Sequence, residues 1–179
     1  MARRRELVQD RVYRIQAWVV AREMLYREVW NALEYLQLLE DGCRLHNCRL
    51  HAWCLMPGMA ALMVSQREIG SISGLMNHVQ IRHTRRYNSW FMRRGPLWDG
   101  PYEIQEIPPD ELDEALREMH CVPSIAGLCV RPDHFEWSDL NPRYAHMRDP
   151  LPRDYRKLSP GEKLRLANRE LDIGHLNRN

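Results

Sequence analysis

Two short apolar runs, residues 49–56 and 60–64, are separated by little more than the dipeptide Pro57-Gly58, and this is the feature that most restricts the fold. So short a link joins neighbouring strands only as an antiparallel hairpin, because a parallel connection needs a crossover of a dozen residues or more. The remaining elements must therefore be arranged around a hairpin. Upstream, residues 12–20 place Tyr13, Ile15, Ala17 and Val19 on one side and Arg14 and Gln16 on the other, the period-two pattern of a strand with one wet face. Residues 22–40 repeat apolar side chains at three- and four-residue steps (Leu25, Val29, Leu33, Leu36, Leu39), which predicts an amphipathic helix stopped by Asp41-Gly42. Downstream, Ser71 is placed to cap a helix reaching about Trp90, with Ile72, Leu75, Met76, Val79 and His83 inward and Arg82, Arg85 and Arg86 displaced from that stripe. Residues 102–107 read as a further strand. Pro108-Pro109-Asp110 then opens a helix with Leu112, Ala115, Leu116 and Met119 on its inner face and Pro123 at its end.

The order β-α-β-β-α-β plus a helix predicts an α+β fold, a ferredoxin-like split βαβ antiparallel sheet with helices on one face. The open face of such a sheet is a natural platform for nucleic acid. Beyond about residue 140 the chain turns polar and proline-rich. Ser159-Pro160-Gly161-Glu162 supplies a capping-box start for a last helix that Gly174 could end. The expected organisation is one domain, residues 1–140, and a C-terminal helical tail, residues 141–179.

With 26 basic and 24 acidic residues the net charge is only +2, which excludes a strongly basic arm. The basic residues are almost all arginine, Lys157 and Lys163 being the only lysines. Arginine pairs with phosphate and stacks on bases better than lysine does, although a GC-rich genome produces the same bias. Five cysteines, an odd number, with no apolar run after the basic residues 1–5, predict a reducing cytoplasm. No apolar stretch approaches the roughly 18–20 residues needed to span a bilayer, so no membrane partner is expected.

The group Arg82, Arg85, Arg86, Arg93 and Arg94, with Trp90, Trp98 and Tyr102 close in sequence, combines phosphate-binding cations with stacking surfaces, as single-stranded or hairpin nucleic acid requires. The same residues fit a solvated helix face beside a core tryptophan. Arg3 and Arg4 could join the group from the N-terminal arm. The cluster Cys43, His46, Cys48, His51 and Cys54 has zinc-like spacing, but His51 and Cys54 are three apart on a strand and would point to opposite faces, so no metal site is assigned. An acid-base pair of Asp99 with His83 is a further candidate.

Several blocks, in order, resemble the single-tyrosine transposases of the IS200 and REP-associated family. They are Met1-Ala2-Arg3-Arg4 before the first strand, His51-Ala52-Trp53-Cys54-Leu55-Met56-Pro57, the helix from Leu75-Met76 to Asn88, Gly95-Pro96-Leu97-Trp98-Asp99-Gly100-Pro101-Tyr102, and the stretch from Pro123 to Gly127 followed by Arg131-Pro132-Asp133 and Glu136-Trp137-Ser138. The resemblance covers about residues 1–140. It implies an enzyme that cuts and joins single-stranded DNA beside imperfect hairpins. Two histidines just after the Met-Pro turn would hold magnesium or manganese, and a tyrosine on the arginine-rich helix would attack the phosphate. Carried onto this sequence, the histidine positions fall at Met59 and Ala61 and the tyrosine position at His83, with Tyr87 one turn later as a displaced nucleophile. Neither alanine nor a thioether suits a hard divalent ion, so no cofactor is expected. The family's arginine after the Trp-x-Gly element is Pro101, and its Asn-Pro-x-Arg-Ala element is Val122-Pro123-Ser124-Ile125-Ala126.

The resemblance thus implies a catalytically inactive, transposase-derived protein that binds hairpin or single-stranded DNA or RNA through Arg82, Arg85, Arg86, Arg93, Arg94, Trp98, Tyr102, Arg3 and Arg4, as a regulator or recognition subunit. Two alternatives stand beside it. One is a residual nicking and joining enzyme using Tyr87. The other is a protein-interaction module presenting Trp18, Trp30, Trp53 and residues 59–63. A homodimer is expected from the family's habit.

Overall fold

The computed structural model describes residues 7–155. In chain order the elements are β1 (Val12–Trp18), α1 (Val29–Leu45), β2 (Cys48–Met56), β3 (Met59–Gln66), α2 (Ser71–Trp90), β4 (Glu103–Ile107) and α3 (Leu112–Ile125), followed by three short 3-10 turns. The strands form one antiparallel sheet in the order β2-β3-β1-β4, the arrangement expected for a split βαβ unit. The hairpin turns at Pro57-Gly58, and Ile15, Leu62 and Trp53 lie opposite one another across three strands on one face. The helices α1 and α2 cover that face, where Tyr35, Leu39, Leu75, Met76 and Val79 complete the core.

Four local boundaries differ from the sequence reading. The first helix begins at Val29 because Arg22 takes a left-handed φ of 70° and the backbone N–H of the buried Leu25 donates to the Pro57 carbonyl at 2.6 Å, tying residues 21–28 to the hairpin as a loop. It also runs through Asp41-Gly42 rather than stopping there. A Cβ at Gly42 would lie 2.8 Å from Leu75 Cδ1, so this glycine allows close helix approach. At the start of α2 the cap position is Gly70, with φ 90°, and Ser71 is already helical; Gln66 Oε1 accepts the Ile72 N–H instead. Pro123 sits inside the last turn of α3, which continues to Ile125.

The third helix lies across the other face of the sheet, where Arg14 of β1 pairs with Glu118 of α3 at 3.0 Å. The platform expected to be open is therefore partly covered. The stretch after α3 closes the free edge of β2. The Leu55 N–H donates to Trp137 O and the Asp139 N–H to Trp53 O, while Leu50 and Asp149 exchange bonds of 2.6 and 2.9 Å. Pairing an exposed edge in this way removes a template for aggregation. Tyr155 reaches the opposite side of the sheet, its hydroxyl donating to Ile107 O at 2.6 Å and accepting the Val12 N–H at 3.2 Å. Residues 141–155, read from composition as part of a tail, are thus fastened to the sheet. Arg3, Arg4 and the helix expected from Ser159 lie outside the described residues. Among the described residues no helix is long and apolar enough to cross a membrane.

Candidate nucleic-acid interface and the cavity at Met59 and Ala61

Strand register decides what surrounds the two positions at which the resemblance implies metal ligands. Ala61 lies opposite Gln16 and Cys54, and Met59 opposite Trp18 and Met56, so these side chains share the face turned away from α1 and α2. With Arg14, Glu118, Met119 and Val122 they line a cavity of about 130 Å³. Met59 is 3% and Ala61 6% exposed. Arg14 donates through Nη1 to Glu118 Oε2 and through Nη2 to Gln105 Oε1 at 2.8 Å. Burial pushes the Cys54 thiol up to about 12, leaving it neutral. A divalent cation does not fit this site. The one carboxylate at its rim is held by a guanidinium, whose charge repels a cation, and the remaining lining offers thioethers, a thiol, an amide and alkyl groups.

The structure does not bring His83 or Tyr87 to this cavity. Both project from α2, on the other side of the sheet, and both are fully buried. The His83 ring is held between Leu25 O, 2.8 Å from Nε2, and Glu34 Oε2, 3.2 Å from Nδ1. Asp99 is not among these partners; its own N–H donates to Trp18 O. The Tyr87 hydroxyl accepts from Arg27 Nε at 2.8 Å and donates to Glu23 Oε2 at 3.3 Å. Burial raises its pKa, with Arg27 pulling the other way. A buried, neutral phenol that shares no face with Met59 and Ala61 is not placed as a nucleophile. The sequence alignment onto α2 is corrected accordingly: the helix that faces Met59 and Ala61 is α3, through Glu118, Met119 and Val122. Sequence reasoning missed Glu118, because only the packing of α3 against the sheet sets it beside Arg14.

The arginines divide into two groups. Arg82, Arg85 and Arg94 are exposed and form no ion pair among the described residues. Arg86 is also exposed but shares Glu34 with His83. Arg93 belongs to the structure: its guanidinium donates to Glu23 at 2.7 Å, Asn88 Oδ1 at 2.9 Å and Pro96 O at 2.7 Å, fixing the loop after α2. Trp98 is likewise structural. Its indole N–H donates to Gln80 O at 3.2 Å and its ring packs near Tyr35 and His83. Tyr102 is half-buried against the core. Among the proposed protein-contact residues, Trp53 and residues 59–63 are buried, which leaves Trp18 and Trp30 at the surface.

The cysteine and histidine cluster is dispersed. Cys43, Cys48 and Cys54 are buried and unpaired, and His51 bridges Ser65 Oγ at 2.8 Å and Asp149 O at 3.2 Å. His46 instead packs against the Gly74 backbone, where a Cβ would lie 2.4 Å from Nδ1, and beside the His78 ring. No group of three or more such side chains able to share a metal ion occurs among the described residues.

Taken together, these features define an α+β domain of ferredoxin-like topology with a basic helix on its surface and an apolar cavity beneath α3. No family model and no curated protein matches the chain. Among solved structures it is similar to a REP-associated tyrosine transposase bound to a REP hairpin, with a TM-score of 0.67 at 11% identity, covering 89% of this chain and 95% of that chain. A protein of Deinococcus radiodurans R1 described as a transposase matches with a TM-score of 0.45 at 18% identity over 66% of this chain and 91% of that chain. The first likeness shows the fold: this chain is built like the REP-associated tyrosine transposase.

Proposed function

We propose that this protein binds structured nucleic acid, a hairpin with a single-stranded flank, through the outer surface of α2 and without cutting it. The observation that carries the reading is a set of exposed cations with no ion pair among the described residues: Arg82 and Arg85 on α2, a helix that contains no acidic residue, and Arg94 in the loop just after it. Surface arginines left without carboxylate partners are available to phosphate, and releasing counterions drives such binding. The hairpin bound by the structure of like fold supports the choice of ligand. The non-catalytic part of the reading is supported by the cavity at Met59 and Ala61, whose lining is a poor ligand set for magnesium or manganese, and by the buried Tyr87 hydroxyl. Without metal and nucleophile, phosphodiester cleavage has no means of approaching a useful rate.

The test is an anisotropy titration of a labelled hairpin with a single-stranded flank, with and without manganese, and gel analysis of the same samples for nicked product. Binding that is independent of manganese, lost in Arg82/Arg85/Arg94→Ala and unaccompanied by product is expected. Metal-dependent nicking by the pure protein would refute the non-catalytic reading, and no binding at low salt would refute the binding reading.

A further inference from the structure

The antiparallel packing of α1 on α2 brings the first residues of α1 against the last residues of α2, and that end of the helix pair carries an aromatic group that the core does not absorb. Trp30 and Trp90 meet edge to face with ring centroids 4.7 Å apart, and Phe91 lies nearly parallel to Trp30 at 6.1 Å. Trp30 is 47% and Trp90 39% exposed, and Met92 beside them is 94% exposed. The Arg27 guanidinium sits 4.7 Å from the Phe91 ring centre and pins the inner edge of the group from behind. Two tryptophans fixed in one geometry, each with a large part of its ring in water, form a rigid stacking surface rather than an incomplete core.

The charge around this surface favours one occupant. Arg82, Arg86 and Trp90 follow one another along α2 at four-residue steps, about 6 Å apart along the axis. That step is comparable to the phosphate repeat of an extended single strand. Arg85 and Arg94 add unpaired positive charge, while Glu23 and Glu34 are already engaged by Arg27, Arg93 and Arg86. Glu28 is the exposed carboxylate left next to the platform. An aromatic surface at the end of an arginine row suits an unpaired base whose backbone runs along that row, because every base offers a π-face and every linkage a phosphate.

We infer that Trp30 and Trp90 form a base-stacking site for the single-stranded flank of the nucleic acid, continuous with the α2 arginines. The inference rests on the nucleic-acid reading above and adds to it the recognition of unpaired bases rather than duplex alone. The sequence offers Trp30 only as a protein contact, because its distance from Trp90 along the chain hides the pairing.

The experiment compares one labelled hairpin with two flanks of equal length, one of normal nucleotides and one abasic, which keeps the phosphates and removes the bases. The proteins are wild type, Trp30→Ala, Trp90→Ala and Trp30→Phe, each checked for folding by circular dichroism. Stacking of one base predicts that wild type prefers the normal flank on the order of tenfold. The preference should fall to about one in Trp30→Ala and return largely in Trp30→Phe. Equal affinity of wild type for the two flanks overturns the stacking site while leaving the arginine reading intact. Absence of binding to either overturns both. Self-association that is lost in Trp30→Ala, with no preference for the normal flank, assigns the platform to a second copy of this chain and also overturns it. If Trp90→Ala fails to fold, the exposed Trp30 variants decide the question alone.

Discussion

Replacing Arg82, Arg85 and Arg94 together by alanine changes the salt dependence of nucleic-acid binding by an amount that can be worked out beforehand. Each phosphate neutralised contributes about −0.7 to the slope of log K against log salt for a single strand and about −0.9 for a duplex. Three unpaired arginines therefore contribute a slope of about −2 to −3, so a fourfold rise in salt should weaken wild-type binding roughly 20- to 40-fold. The triple variant should lose that part of the slope. Arg86 provides an internal comparison. Its guanidinium is already paired with Glu34, so binding phosphate requires breaking or sharing that pair, and Arg86→Ala should flatten the slope less than Arg82→Ala. The assay is anisotropy across a salt series for wild type, the triple variant and the two single variants. An unchanged slope in the triple variant would refute the placement of the interface on α2, whatever happened to the affinity.

The structural assignments predict other outcomes. Arg93→Ala should leave the salt slope nearly unchanged but cost about 2–3 kcal/mol of stability, because it strips charged hydrogen bonds from a mostly buried Glu23, and a melting curve reads it. Tyr87→Phe should cost about 1 kcal/mol through the lost bonds to Arg27 and Glu23 and leave binding intact; a nicking activity that this substitution abolished would contradict the buried, non-nucleophilic role. His51 is held below the ordinary histidine value of 6.5 chiefly by burial, so the unfolded chain takes up a proton at a pH where the native one does not. Its contribution to stability is complete above 6.5 and declines as pH falls through that value toward the lower native pKa. Melting temperatures over this range should fall less steeply for His51→Gln than for wild type.

The β2–β3 hairpin and the inward stripe of α2 were legible because each rests on a local signal, a short turn between apolar runs in one case and helical periodicity in the other. Pro57-Gly58 fixes the turn between two continuous apolar runs, and the three- and four-residue steps of α2 fix its inward stripe. Gly42 was misread as a stop because glycine has two uses, ending a helix and letting helices touch, and only the position of Leu75 distinguishes them. The same limit applied to the arginines. Arg82 and Arg93 are equivalent in composition, yet Glu23 and the carbonyls of the following loop make one of them structural. Such partners lie far away in sequence, and no window around the arginine contains them.

The two faces of the sheet differ in what they offer a ligand: the proposed binding surface lies on the α2 side and the Met59–Ala61 cavity on the other. On the α3 face, Met59 and Ala61 are apolar and nearly inaccessible, and Arg14 is locked to Glu118 across the mouth of the cavity. A histidine placed at either position would be a buried polar group needing a partner, and the cationic Arg14 beside it would oppose a second positive charge. Restoring both histidines alone should therefore not restore metal binding, because the guanidinium and its carboxylate would still occupy the mouth. Adding Arg14→Ala would free Glu118 as a third ligand, an oxygen donor beside the two imidazole nitrogens, and remove the repulsion. Manganese binding measured by calorimetry should be absent in Met59→His/Ala61→His and detectable once Arg14→Ala is added. Tight binding in the double variant would show that the missing histidines alone exclude the metal and that Arg14 is no barrier to it.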